Sequence, residues 1–450
     1  MRVGNPGVLM AHELALPSSS RLESDARRIH AAPAAVAPGD IALGVVIGRM
    51  AEFFDFFVYA IASVLVFPRV FFPALAPLDG LLASFGVFAL AFLARPVGAV
   101  LFTEIDRRHG RGVKLTLALF LLGGSTAAIS FLPGAAQLGW TAALLLGVSR
   151  IVQGLALGGA WDGLASLLAV NAPEGRRGWW AMVPQLGAPL GFLLAGGLLA
   201  LFSAVLTPAD FLDWGWRYPF FVAFAINVVA LFARLRLVAT EPFGRLFDRG
   251  RLRPMPVAEV ARAEGRNLVI GAFAPLATFA LFHLVTIFPL SWSAAGAPGG
   301  GARVLLAELL GAGFGLAGVV ASGRIADRIG RRRHLTLCAI LIGAFALLAP
   351  GLLAHGRAGE LAYIVTGWSV LGLSFGQAAG VVSADFSRPY RYTGAALTSE
   401  LAWLVGAGFA PLAALGLASR LGLPAIGLYL MSGVLCSLVA LSLSRLQTAD

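Results

Sequence analysis

Eight charged side chains and one histidine stand where the surrounding sequence offers them no water. Arg49, Glu52, Asp55, Arg95, Arg150, Asp162, Glu308 and Glu400, together with His283, lie inside long apolar blocks. A charge at the centre of such a block opposes membrane insertion by about 2.5–3.5 kcal/mol unless it is paired or faces a watered cavity. Two kinds of chemistry fit these residue types. Arginine presents a planar fork of donors suited to a carboxylate, and it stays charged at any physiological pH. A carboxylate can take up and release a proton, which arginine cannot. Arg49, Glu52 and Asp55 are spaced three apart, so they share one helix face and can also simply pair with one another. Glu308 follows Arg303 near the start of its block, which predicts an interfacial pair. Tyr59 stands one turn beyond Asp55.

The elements that position these residues are apolar helices. The chain has 450 residues, of which 58% are hydrophobic and only 13% charged, and its mean hydropathy is +0.83. A soluble protein carries about 25% charged residues. Twelve apolar blocks can be read at 41–67, 80–102, 113–132, 141–171, 180–206, 217–238, 267–292, 303–323, 335–354, 360–384, 393–419 and 423–444. Each is long enough to cross a hydrocarbon core of about 30 Å. Residues 1–40 read as a polar tail, 41–238 as a first six-helix unit, 239–266 as an Arg-rich connection and 267–446 as a second six-helix unit.

A net charge of +11 could suggest a nucleic-acid partner, but the basic residues alternate with the blocks. Of 34 Lys and Arg, five (Arg69, Arg217, Arg303, Arg357, Arg420) fall on one side and three (Arg49, Arg95, Arg150) within blocks, leaving 26 on the other side. That is the positive-inside pattern, which predicts both termini in the cytosol and a lipid bilayer, not nucleic acid, as the large partner. Cys338 and Cys436 fall in apolar blocks and read as buried small thiols. No metal ligand set, nucleophile elbow or phosphate loop is present, so neither an enzyme nor a cofactor is indicated.

The two units repeat a loop. Gly323-Arg324-Ile325-Ala326-Asp327-Arg328-Ile329-Gly330-Arg331 follows the second block of the second unit, and Thr103-Glu104-Ile105-Asp106-Arg107-Arg108-His109-Gly110-Arg111 the second block of the first. The second-unit copy closely resembles the cytosolic-loop motif of the major facilitator superfamily. In the first copy Thr103 replaces the leading glycine and Asp106 stands one position early, so the usual contact of that acid is not expected there. Asp106, Arg108, Gly110 and Arg111, with Gly323, Asp327, Arg328, Gly330 and Arg331, are the gating residues this resemblance implies.

Over residues 44–411 the chain resembles the metabolite:proton symporter family in particular. Gly48-Arg49-Met50-Ala51-Glu52-Phe53-Phe54-Asp55-Phe56 matches its first-span pattern and Phe92-Leu93-Ala94-Arg95-Pro96-Val97-Gly98 its second. Arg150-Ile151-Val152-Gln153-Gly154, Trp214-Gly215-Trp216-Arg217-Tyr218-Pro219-Phe220 and Arg391-Tyr392-Thr393-Gly394 continue the match. In span 4 two of the family's carboxylates are missing: the sequence is Ala160-Trp161-Asp162-Gly163, then Val170. The resemblance implies an all-α integral membrane protein of twelve helices in two pseudo-symmetric bundles, in a bacterial-type inner membrane and functional as a monomer. It implies proton-coupled symport of a small organic acid or zwitterion by alternating access. Substrate-binding residues would be Arg95, Arg150, His283, Tyr59 and Gln153, and proton-coupling residues Asp55, then Glu400, then Glu52. Gly187-Ala188-Pro189-Leu190-Gly191 partly matches an antiporter motif, which keeps efflux as an alternative beside an uncoupled facilitator and a non-transporting receptor.

Overall fold

The computed structural model describes residues 38–160, 168, 172–173, 175–238, 253–296, 301–384, 386–387 and 389–444. Among these, every regular element is helical. Span 1 is Pro38–Leu65, span 2 Pro77–His109, span 3 Arg111–Ser130 and span 4 Trp140–Gly159. Span 5 runs through Arg177–Met182, a tight 3₁₀ turn at Val183–Leu186, and Gly187–Val205; span 6 is Tyr218–Val238. Span 7 is broken into Val257–Phe273, Leu276–Thr286 and Phe288–Gly296, with Pro275 and Pro289 at the breaks. Span 8 is Gly301–Ile329, span 9 Arg331–Ala354 and span 10 Gly356–Ala384. Span 11 joins Arg391–Trp403 to Ala410–Leu421 through a wide π-turn at Leu404–Gly408, and span 12 is Pro424–Leu443.

Ten stretches of the described residues are helical, long and apolar enough to cross a membrane. The other two are span 1, whose middle is crowded by Arg49, Glu52 and Asp55, and span 10. Residues 257–266, expected in the polar connection, are helical; Pro256 precedes the helix, and non-helical backbone at Glu264 (φ −126°, ψ 21°) marks a kink. Trp161, Asp162, Gly163 and Val170 lie outside the described residues. Cys338 is buried as expected, but Cys436 is exposed on the outside of the bundle, because its turn of span 12 faces away from the neighbouring helices.

Small residues set the tight seams. A Cβ added at Gly98, Gly154 or Gly158 would lie 2.2–2.3 Å from a backbone oxygen of the facing helix, at Leu155, Ala91 and Arg95 respectively, so spans 2 and 4 touch backbone to backbone. The second half repeats this between spans 8 and 10, where a Cβ at Gly372 would meet the Gly315 oxygen at 2.1 Å. Van der Waals packing of this kind holds helices together in lipid, where apolar burial contributes little. The two loop motifs also turn alike. Gly110 and Gly330 adopt φ of 82° and 84°, which L side chains adopt only with strain, and each lets one span end and the next begin within a single residue.

The halves meet at both ends. At the end carrying the basic loops, Asp327 accepts from the Gly178 and Trp179 N–H groups. Towards the other end, Gly196 of span 5 packs on Leu305 and Leu309 of span 8, and Phe192 of span 5 meets Trp368 of span 10 at 4.9 Å between ring centroids. The halves are therefore in contact on both sides of the space between them.

Candidate functional site

Two polar regions are buried in the bundle, the first at the junction of the halves and the second within the first half, where His283 of span 7 meets it. The first is a cleft of about 70 Å³, room for a few waters, lined by Arg49, Glu52, Phe53, Arg95, Gln185 and Glu400 among others. Every charge in it is partnered. Glu52 is held between Arg49 of its own helix (2.5 Å) and Arg234 of span 6, and Arg234 also donates to the Ala160 oxygen at 2.9 Å. Arg95 grips Glu400 with two donors, Nε at 2.5 Å and Nη2 at 3.2 Å, across 305 residues of sequence and across the junction of the halves. Its guanidinium also lies 5.4 Å from the Trp403 ring.

The second region is sealed from the first by aromatic rings. Phe56 lines the cleft on one side and stacks on His283 on the other, with ring centroids 5.4 Å apart. Phe92 is in edge contact with His283 and lies under Arg95. Beyond these rings Arg150, 1% exposed, lies flat over Tyr59 at 4.0 Å and donates to the Phe88 oxygen and to Gln153 Oε1. Gln153 donates in turn to the Thr126 hydroxyl at 2.6 Å, which interacts with Asp55. Asp55 accepts from Asn227 Nδ2 at 2.5 Å. Several polar atoms here have no hydrogen-bond partner among the described residues: Arg150 Nη2, the Tyr59 hydroxyl, both His283 nitrogens and Asp55 Oδ1. Buried polar groups are nearly always hydrogen-bonded, so a cluster of exceptions marks a place prepared for something else.

The structure thus brings Tyr59, Arg150, Gln153, His283 and Asp55 together, and puts Arg95, Glu400 and Glu52 in the neighbouring cleft. Glu308 does not pair with Arg303, as its sequence position suggests. Five residues rotate a helix by about 140°, so Arg303 instead reaches Glu360 at 2.8 Å, while Glu308 turns inward to Trp368.

The gate motifs differ in their partners. Asp327 receives backbone N–H groups at the start of span 5, Gly323 packs against the Trp179 backbone, and Arg331 reaches Gln377 and the Arg177 oxygen. Asp106, one position early, accepts instead from the Tyr392 hydroxyl of span 11 at 3.0 Å, with Lys114 and Arg111 at 3.6 and 3.8 Å and the Arg111 guanidinium over the Tyr392 ring. Contact between the halves is kept by a side chain in place of the backbone. Arg108 is exposed and binds Glu104, and Arg328 is exposed at the end of span 8.

A family model described as sugar (and other) transporter matches residues 41–240. The inner membrane metabolite transport protein YhjE of Escherichia coli K12 is 38% identical over 406 residues, covering 89% of this chain and 92% of its own. The chain belongs to the major facilitator superfamily. It is a multi-pass membrane transporter, similar to the metabolite:proton symporters, and not an enzyme. The shikimate transporter of the same organism is 32% identical over 407 residues, 88% of this transporter and 92% of that one. The proton:xylose symporter XylE shares the fold, with a TM-score of 0.68 at 18% identity over 90% of this transporter and 94% of that chain.

Asn227 and Arg234 are the members of the transporter's site that its sequence hid. Arg234 counts towards the basic end of span 6, and Asn227 is a lone amide in an apolar run. Their spacing of seven puts both on one face, and span 6 runs antiparallel to span 1. Asn227 therefore meets Asp55 while Arg234 meets Glu52.

Proposed function

We propose that this transporter is a proton-coupled symporter of a small organic acid or zwitterionic metabolite. It works as a monomer by alternating access in a bacterial inner membrane, with both termini and the basic loops in the cytosol. The observation that carries this reading is Arg150, a fully buried guanidinium with an N–H left without a partner and no carboxylate bonded to it among the described residues, near unpartnered atoms of Tyr59, His283 and Asp55. A carboxylate bound there would complete the arginine's fork and compensate its burial. The names of the relatives, a shikimate transporter and a proline/betaine transporter (29% identical over 382 residues), are consistent with a substrate bearing such a group.

The roles of the two arginines follow from their partners. Arg150 holds the substrate. Arg95 is occupied by Glu400 while the halves are in contact and takes up the substrate carboxylate only when the halves part and the pair separates. Asp55 is the first candidate for the coupled proton, because one of its oxygens is free and a line of polar side chains, Thr126 and Gln153, connects it to Arg150. Neutralising Arg150 with substrate changes the field at Asp55, which links the two loads. Glu400 and Glu52 follow in rank, since both are tied to arginines.

The test starts from a thermal-shift screen of shikimate, proline, betaine and related acids to find a ligand. Uptake of that ligand is then measured in proteoliposomes under an imposed proton gradient. Asp55→Asn should abolish uphill accumulation while sparing exchange of labelled for unlabelled substrate. Full accumulation in Asp55→Asn, Glu52→Gln and Glu400→Gln would instead mean a facilitator or a coupling site elsewhere. No flux in the native protein would favour a receptor.

A further inference from the structure

Glu308 of span 8 is fully buried and takes no part in either polar region. Its Oε2 accepts from the Trp368 indole N–H at 2.7 Å, and its Oε1 has no partner. The indole cannot swing away. A Cβ on Gly311 or Gly315 would lie 2.4–2.6 Å from its ring atoms, so the ring lies directly along a groove of span 8 that only glycine leaves open. The same ring is the surface that Phe192 of span 5 packs on, and Gly196 of span 5 sits against Leu305 and Leu309 on either side of Glu308 in sequence. Glu308 is thus covered by the contact between the halves at the end opposite the basic loops. The groups facing it are few. Span 5 contributes no charged group there. From span 10 come Trp368, Glu360, which is held by Arg303, and Tyr363, whose hydroxyl is given to the Leu284 oxygen of span 7. Among the described residues no cation pairs with Glu308.

An ionised carboxylate with a single donor and no counter-charge is not sustained in a dry helix seam, whereas a neutral carboxylic acid accepting one indole hydrogen bond is. We infer that Glu308 is a proton-binding site in its own right, filled while spans 5 and 8 are in contact and emptied into the compartment opposite the basic loops when they part. A proton from water on that side bonds to the free Oε1, turning carboxylate into acid, and returns to the same water on opening. Acidity on that side therefore favours the closed end. The inference rests on the alternating-access part of the proposed function and not on Asp55.

The test needs no substrate. Infrared pH-difference spectra are recorded on the purified transporter in lipid. In parallel, spin labels at Val205 and Leu306, in a background with Cys338 and Cys436 changed to serine, report the separation of spans 5 and 8. The native protein should show a buried carboxylic C=O band that is lost with rising pH as the labels move apart. Glu308→Gln, which keeps an acceptor for the indole, should lose the band and hold the short distance at every pH. Trp368→Phe, which keeps the carboxyl group, should retain the band but move the midpoint of both signals. If Glu308→Gln keeps the native band and distance response, or if Trp368→Phe leaves the midpoint in place, Glu308 is a structural brace and the inference fails. Asp55→Asn removes any carboxyl signal of its own but should leave intact the band that Glu308→Gln removes and the distance response, so a failed coupling test at Asp55 would not disturb this result; loss of that same band in Asp55→Asn would overturn the assignment to Glu308.

Discussion

The cleft near the basic loops and the polar cluster behind Phe56 hold similar residues in opposite conditions. In the cleft Arg49 and Arg234 share Glu52 and Arg95 holds Glu400, so each charge has a partner within the bundle. In the cluster Arg150, Tyr59, His283 and Asp55 each keep a polar atom without a partner among the described residues. Satisfied charges hold helices in register, whereas unsatisfied ones are prepared for a ligand that supplies the missing partner. The difference teaches that the count of charges inside the membrane says less about function than which of them are left over.

The largest effect is expected where a satisfied charge is orphaned. Arg234→Ala leaves Glu52 with Arg49 alone and removes a donor to Ala160. Leaving a buried charge wholly unpaired costs about 3–5 kcal/mol; Glu52 keeps Arg49, so the cost here falls below that, but the variant should still melt below the native protein in detergent, and a melting temperature equal to native would break the comparison. Next comes the pair that crosses the halves. Arg95→Ala and Glu400→Ala should each slow transport by about tenfold or more, as loss of a charge-assisted bond worth roughly 1.5–3 kcal/mol implies, and the double variant should be no worse than the poorer single one. Additive losses in that cycle would mean the two residues act apart. The smallest effect belongs to the first-half gate. Tyr392→Phe removes one bond from Asp106 but leaves Arg111 and Lys114 beside it, so exchange rates should change only a few-fold. Asp327→Asn, which weakens backbone contacts that nothing else replaces, should change them more.

Much of this was legible in the chain. Span positions followed from apolar block lengths, and the central charges were visible because lipid tolerates so few. What sequence could not supply was pairing. Glu400 stands 305 residues from Arg95, and no periodicity connects them. Arg234 was hidden by its position among basic residues at the end of span 6, where a snorkelling arginine and a buried one look alike. Glu308 was read with its near neighbour Arg303 because sequence proximity is a poor guide to which face of a helix a side chain takes. The displaced acid of the first gate motif, Asp106, is visible in the chain as a departure from the pattern. Its replacement contact depended on Tyr392, a hydroxyl whose reach only the assembled bundle reveals.

The central claim is that Arg150, and not Arg95, is the arginine that holds the substrate while the halves are in contact. Equilibrium binding of the ligand found by the thermal-shift screen, measured on Arg150→Lys and Arg95→Lys side by side, tests it directly. A lysine keeps the charge but loses the planar fork. Binding should weaken by about 100-fold in Arg150→Lys, the equivalent of roughly 3 kcal/mol for a charge-assisted hydrogen bond, while Arg95→Lys should bind within a few-fold of native and fail only in transport. Native affinity in Arg150→Lys with lost affinity in Arg95→Lys would contradict the account.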